Sequence, residues 1–483
     1  MRVLLVDMTP RPGQPRQPLW MPIYLPALAG VLRGAGHSVA LVEHGLLVEV
    51  ARGATAELAR RFGRRVRALE PDLVVFDVRM ETLSDFADFG REARAAAPCA
   101  LILAGGRHPT QLPEETLEAA PFIDGVVIGE PEETILEIAG GAPLASAAGT
   151  VSRCGGAIVS AVRRPPIADL DNLPFPAWDL LDMDWYTSRT QRVIPCLPLR
   201  TATIQASRGC TAGCSFCAEG RLYPPPHRRH TPAYVVALVQ RLLAEYRIGG
   251  LYFADENLLG DPGHARGLFE ALIRADIPGK LCWSAQVRVD AVDAGLLALM
   301  RRAGCIQLEF GIESGSSRVL QSLGKGAAVE TGETALRLCR QAGIRTLASV
   351  MYGLPGETLM DLRATAALVA RARPTIVRLV RYIPVPGTAL VRSLIRDGRL
   401  PERFWERDVR RGDPFGGAPA PNLTALSDSE LVREERRLYF RCVLPRYTRD
   451  WLRHSRPQDA LALTRSRFLP RLLAGKLKPG GGS

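Results

Sequence analysis

Short apolar runs alternate with longer amphipathic stretches along most of this 483-residue chain. Arg2-Val3-Leu4-Leu5-Val6 reads as a first strand and is followed by a loop rich in Pro and Gln. A helical pattern from about Pro26 to Ala35 stops at Gly36, and Ser38 to Val42 forms the next strand. Thr55 to Leu69 has the spacing of a long amphipathic helix. Leu73-Val74-Val75-Phe76 is apolar without alternation, as in a strand buried on both faces. A helix over Ser84 to Ala97, the strand Ala100 to Ala104, another helix and the short strand Gly125 to Ile128 complete the series. Five strand–helix units predict a parallel, doubly wound, Rossmann-like sheet over residues 1–140, with ligands beyond the carboxyl ends of its strands.

Residues 141–200 contain Pro165-Pro166 and Pro174-Phe175-Pro176, which predict an extended, semi-rigid linker. The alternation resumes at 201. Strands over Thr201 to Ser207, Leu251 to Ala254, Leu281 to Val287, Gln307 to Ile312, Thr346 to Val350 and Ile376 to Tyr382 are separated by helical patterns. Six such units fit a partial (β/α)6 TIM-type barrel over 201–395, whose chemistry would sit at the carboxyl ends of its strands. Residues 396–483 read as mainly helical, with an amphipathic helix from Ser427 to Phe440, the aromatics Trp405, Phe415, Tyr439, Tyr447 and Trp451, and a Gly480-Gly481-Gly482 end. The fold class is therefore α/β twice over, with a helical tail.

Composition narrows the picture only a little. The apolar and charged fractions are those of an ordinary soluble protein, and no apolar run approaches the ~18 residues of a membrane span. The amino terminus is too short in apolar residues for a signal peptide. Ten cysteines without framework spacing point to a reducing compartment, so a cytoplasmic protein is expected. Much of the net charge of +12 lies in 401–483, nearly all of it arginine interleaved with acids. No nucleic-acid module accompanies that charge, so neither nucleic acid nor membrane is expected as a partner.

The chemistry concentrates in Ser207-Arg208-Gly209-Cys210-Thr211-Ala212-Gly213-Cys214-Ser215-Phe216-Cys217. Three cysteines at C-x3-C-x2-C spacing directly after a strand place three thiolates on one loop. Such a claw suits a [4Fe–4S] cluster held at three corners, with its fourth iron open. A structural zinc site would want four ligands, and no second Cys/His pair stands at a suitable spacing. A redox disulfide would use Cys214 and Cys217 and leave Cys210 unexplained. The other seven cysteines have no paired spacing and read as core or surface thiols. In the first domain the strand-end loops carry Gly105-Gly106-x-His108-x-Thr110 and Gly129-Glu130 with Glu133, where glycine would let the backbone approach a flat ligand. No G-x-G-x-x-G follows the first strand, which weakens a dinucleotide reading.

The cysteine loop closely resembles the cluster loop of the radical S-adenosylmethionine (SAM) superfamily. The first domain, with its Pro-rich loop, Leu32 to His37, Gly105-Gly106 and Gly129-Glu130, resembles the cobalamin-binding domain found ahead of many such enzymes. The resemblance implies that Cys210, Cys214 and Cys217 hold the cluster. It implies that Asp255 and Glu256 meet the SAM amino group, that Glu313 and Ser314 lie near its ribose and carboxylate, and that Gly353 through Glu357 and Phe216 flank its adenine. Asp7, Gly105, Gly106, His108, Gly129 and Glu130 would lie against cobalamin. An Asp-x-His-x-x-Gly loop is missing, so no imidazole is expected on cobalt, and Arg79 is expected near the lower face. The implied activity is methyl transfer through methylcobalamin and a 5′-deoxyadenosyl radical to carbon, less often phosphorus, of a small molecule or peptide natural product. A radical cyclase or rearrangement enzyme, and polar methyl transfer without the radical, are the alternatives. An external flavodoxin- or ferredoxin-like electron donor and a monomeric state complete the expectation.

Overall fold

The computed structural model describes residues 1–8, 21–44, 55–189, 191, 193–405 and 421–454. The Pro-rich loop after the first strand, Phe415 and the glycine end lie outside these residues. The first sheet has seven strands: β1 (Arg2–Asp7), β2 (Ser38–Glu43), β3 (Leu73–Asp77), β4 (Leu101–Gly105), β5 (Gly125–Val127), β6 (Thr150–Cys154) and β7 (Ala157–Ser160). Their order is β2-β1-β3-β4-β5-β6-β7. The first five are parallel, and the chain reverses direction of travel between β1 and β3, the switch point at which such sheets bind ligands. Alternation along β1 makes the sheet two-faced. Val3 and Leu5 face helix 24–34 through Leu25 and Leu28, while Leu4 and Val6 face helices 55–69 and 83–96 through Phe62 and Phe89.

The stretch expected to be an extended linker is structured in part. Strands β6 and β7 form a hairpin that pairs antiparallel onto β5, so the sheet is not purely parallel. Gly155 and Gly156 supply its two-residue turn with φ of +58° and +85°, the conformation that matches the twist of the flanking strands. Further on, Trp178, Leu181, Met183 and Tyr186 are buried in a core shared by both sheets.

The second sheet runs β15-β14-β13-β12-β11-β8 and is parallel throughout. Its strands are β8 (Thr201–Ile204), β11 (Gly250–Phe253), β12 (Cys282–Val287), β13 (Cys305–Glu313), β14 (Arg345–Tyr352) and β15 (Ile376–Arg381). Between β8 and β11 lies a small antiparallel ladder of β9 (Ser207–Arg208) and β10 (Arg228–Arg229). The six strands form the expected open barrel. Helices on its outside start where the sequence provides caps: Thr231 before 232–246, Asp261 before 262–274 and Asp293 before 294–302 each accept the amide three residues on. Helix 359–372 begins with a full capping box of Thr358 and Asp361. Helices 428–438 and 444–454 follow at the carboxyl end, with Leu431, Leu438 and Cys442 in the common core. No helix among the described residues is long and apolar enough to cross a membrane.

Candidate active site

Strand β8 delivers the chain to the carboxyl end of the barrel, and the cysteine loop leaves from β9. Gly209 and Gly213 have φ of +95° and +64°. A Cβ on Gly209 would stand 3.1 Å from the carbonyl oxygen of Pro226, so the turn into Cys210 has room only for glycine. The loop is pinned at its middle. The Ser215 amide and hydroxyl donate to the Leu323 carbonyl at 2.9 and 3.0 Å, and the Leu390 amide donates to the Ser215 carbonyl at 2.8 Å. Cys210 and Cys214 are half-buried and Cys217 is exposed. Desolvation raises the Cys214 thiol, and Lys325 and Arg288 pull it back. Protons must leave these thiols when a metal group binds. Phe216 packs against an apolar cluster that includes Leu323, Met351 and Leu354, which ties the loop to the core behind the Gly353-Leu354-Pro355-Gly356 turn.

The other barrel residues sit at the strand ends, with distinct duties. Asp255 is buried and turned back into the fold, accepting from the Ala206 amide at 3.2 Å and the Ser207 hydroxyl at 2.5 Å. Desolvation raises its carboxyl to about 6. Glu256 lies against the start of the cysteine loop: it accepts from Gln205 at 3.2 Å and from the Gly209 amide at 3.3 Å, and desolvation with the charges of Glu219 and Asp255 lifts it to about 8. Glu313 has φ of +60°, at an irregularity in the β13–β14 register, and pairs with Lys325 at 2.8 Å. Ser314 shares a hydrogen bond with Thr365, and a Cβ on the next residue, Gly315, would stand 2.5 Å from the Ala364 carbonyl, which presses the loop onto helix 359–372. Glu357 is fully buried and accepts the Gly353 and Leu354 amides at 2.7 and 3.2 Å, and desolvation raises it to about 7. It organises the glycine turn from within. The segment around Leu423 then seals that turn through the Gly356 amide at 2.8 Å and the Ala425 amide at 2.9 Å.

Across from this mouth stand the strand ends of the first sheet. Asp7, Asp77 and Gly105 are register partners on β1, β3 and β4. Asp77 is buried and desolvation raises its carboxyl, against the pull of Arg79, whose guanidinium lies 4.0 Å away. The sequence-based reason for Gly106 changes here. Its φ is +94°, and a Cβ would stand 2.0 Å from the Asp77 carboxylate, so the fold itself demands glycine before any ligand arrives. Gly105 has only an ordinary neighbour, Val127, at 3.7 Å. His108 is buried in the short helix 107–111, where desolvation lowers it to about 4 and leaves it neutral. Gly129 has φ of +75°, and its amide donates to Thr110 at 3.0 Å. Glu130 is buried in ion pairs with Arg208 and Arg228. That pairing occupies both of its oxygens.

Four residues that spacing did not single out complete the mouth: Tyr24, Arg107, Glu219 and Tyr223. Arg107 reaches Glu219, two residues past Cys217, at 2.8 Å. Desolvation leads the influences on Arg107, and Glu219 and Tyr24 outweigh it and raise the pKa, yet 43% of the side chain is accessible. Tyr24 stands beside it with its ring centroid 5.7 Å from that of Tyr223, and desolvation raises its hydroxyl. The cysteine loop and the loop after β4 are therefore in direct polar contact, through Arg107 with Glu219 and through the Gln111 side-chain amide, which donates to the Ala218 carbonyl at 2.8 Å.

Residues 15–139 match the family model described as B12 binding domain, and residues 204–369 match that of the Radical SAM superfamily. An uncharacterized methyltransferase of Pyrococcus horikoshii is 29% identical over 311 residues, covering 63% of this chain and 65% of its own. An anaerobic magnesium-protoporphyrin IX monomethyl ester cyclase of Cereibacter sphaeroides is 30% identical over 310 residues, covering 62% of this chain and 49% of its own. The chain thus spans about two thirds of the one and half of the other. Among solved structures, the radical SAM methyltransferase TsrM of Kitasatospora setae, with cobalamin and a [4Fe-4S] cluster bound, superposes with a TM-score of 0.66 at 19% identity, over 82% of this chain and 75% of that one. At that identity the likeness shows the fold.

Proposed function

For this chain, which is a radical SAM protein with a B12 binding domain ahead of its barrel, we propose the activity of a cobalamin-dependent radical SAM methyltransferase. Its substrate is a small molecule or peptide, methylated at a carbon or, as the rarer case, a phosphorus centre. The observation that carries the reading is the direct contact of both flanks of the Cys210–Cys217 loop with the strand-end loops of the first sheet, Arg107 to Glu219 after β4 and Glu130 and Glu132 to Arg208 after β5. The similar methyltransferase of Pyrococcus horikoshii supports the reaction class. The similar cyclase supports a second reading, radical ring formation on the same scaffold.

The residues fit the two cofactors. Three thiols share one glycine-flanked loop and feel one another's charge. Among the described residues no group of three or more His, Cys, Asp or Glu side chains is placed to hold a metal ion, so the case for a cluster rests on the C-x3-C-x2-C spacing of the three thiols on one loop. In the first sheet His108 is buried, and the Arg79 guanidinium lies 4.0 Å from the Asp77 carboxylate at the end of β3. When bound, the cluster supplies an electron for SAM cleavage and cobalamin supplies a methyl relay. The protein's own share is placement and exclusion of water. Glu256 presents a carboxyl beside the cysteine loop for an ammonium. Glu357 holds the glycine turn open beside Phe216, leaving a flat apolar wall for a ring. Arg79 would lie near the lower face of a bound cobalamin, where a guanidinium cannot serve as a metal ligand. Tyr24, beside the Arg107–Glu219 pair, is the polar group left to orient a substrate. A low-potential donor of the flavodoxin or ferredoxin kind, a reducing cytoplasm and a monomer belong to the same proposal.

Anaerobic reconstitution with iron, sulfide and cobalamin tests the reading. About four irons and one cobalamin per chain are expected, with iron lost when Cys210, Cys214 or Cys217 is replaced by Ala. Iron content unchanged in all three variants would sink it.

A further inference from the structure

The cysteine loop is gripped at both ends by the first sheet. On the entering side Arg208, two residues ahead of Cys210, donates to Glu132 at 2.6 Å and to Glu130 at 3.4 Å. Its ladder partner Arg228 forks onto both oxygens of Glu130, one of them at 2.9 Å, and also donates to the Ile167 carbonyl at 2.8 Å. All four charged side chains are buried. On the leaving side Arg107 holds Glu219, and the Gln111 side-chain amide donates to the Ala218 carbonyl at 2.8 Å. The two grips issue from neighbouring loops at the carboxyl end of one sheet, Gly105-Gly106-Arg107 after β4 and Gly129-Glu130 after β5.

The grips differ in stiffness. Opening the buried set strands charges away from water, which is strongly unfavourable, so the Cys210 end is fixed. The Arg107–Glu219 pair is partly exposed and yields more easily. It adjoins Cys217, the exposed thiol. Arg107 also follows directly on Gly106, so a ligand that moves that backbone moves the guanidinium with it.

We propose that the Arg107–Glu219 pair couples ligand occupancy at the Gly105-Gly106 surface to the setting of the cluster loop, with the buried Glu130–Arg228 and Glu132–Arg208 pairs as its fixed anchor. Arg107 and Glu219 are then positioning residues. The inference rests on the cofactor reading above and adds communication between the two sites.

The rate at which a chelator strips iron from the reconstituted protein reads the setting of the loop without turnover. Iron and cobalamin content of the unaltered protein is measured first; if either is missing, the cofactor reading fails and the coupling with it. With both present, cobalamin is expected to slow iron loss several-fold. Glu219→Gln and Arg107→Gln should bind cobalamin and lose that protection, while Arg107→Lys keeps it. In Glu130→Gln iron loss should accelerate with and without cobalamin alike. A merely structural tie predicts that Glu219→Gln speeds iron loss in equal proportion under both conditions. That result, or the unaltered protein gaining no protection, overturns the coupling.

Discussion

Gly106→Ala separates two reasons for a glycine at the first sheet's strand ends. If the glycine exists to admit a ligand, the apo protein should tolerate alanine. The structure says otherwise. Gly106 sits at φ +94° and ψ −164°, backbone that is essentially reserved for glycine, at a strain of about 1–3 kcal/mol for alanine. Its Cβ would also lie 2.0 Å from the Asp77 carboxylate and 3.1 Å from the Val78 backbone, and such overpacking costs about 1–3 kcal/mol more. A loss of at least about 2 kcal/mol is expected, which enlarges the local opening constant about 30-fold. Hydrogen exchange of β3 and β4 amides in cofactor-free protein measures it. Gly105→Ala is the control. Its Cβ meets Val127 at 3.7 Å, an ordinary contact, so exchange should be unchanged or slightly slower. Adding Asp77→Ala to Gly106→Ala should relieve the clash with the carboxylate and leave the backbone strain. Unchanged exchange in cofactor-free Gly106→Ala would refute the reasoning and return the glycine to a ligand's requirement.

Two further outcomes follow from single side chains. Glu256 is raised from an ordinary carboxylate value to about 8, so between about pH 4.5 and 8 the folded chain holds a proton that the unfolded chain has released. Its stability should therefore fall as pH rises through that window, and Glu256→Gln should flatten the fall; an identical pH profile in the variant contradicts the assignment. Arg79→Leu should alter the spectrum of bound cobalamin and lower methyl transfer, and an unchanged spectrum with unchanged turnover would remove Arg79 from the lower face.

Local patterns carried much of the fold. Helix 55–69 appears over the very residues its amphipathic spacing predicted, and the six barrel strands lie where apolar runs end in polar loops. The hairpin β6–β7 was hidden by surrounding prolines, although Gly155-Gly156 between two alternating runs is a hairpin signal in its own right. The cysteine loop was legible because its ligands are close in sequence. What spacing could not reveal is pairing at a distance: Glu130 meets Arg208 and Arg228 across 78 and 98 residues. A carboxylate next to glycine at a strand end looks the same in sequence whether it faces a cofactor or an arginine of another sheet. Asp255 and Glu256 show the same ambiguity at adjacent positions, one tied inward to β9 and the other against the start of the cysteine loop.

The most direct test of the central claim follows the methyl group. Reconstituted protein is incubated anaerobically with SAM carrying a labelled methyl and a strong reductant, and the cobalamin recovered from it is weighed by mass spectrometry. The account predicts labelled methyl on that cobalamin, absent when cobalamin is left out of the reconstitution. Protein that holds both its iron and its cobalamin yet returns cobalamin without label would contradict it.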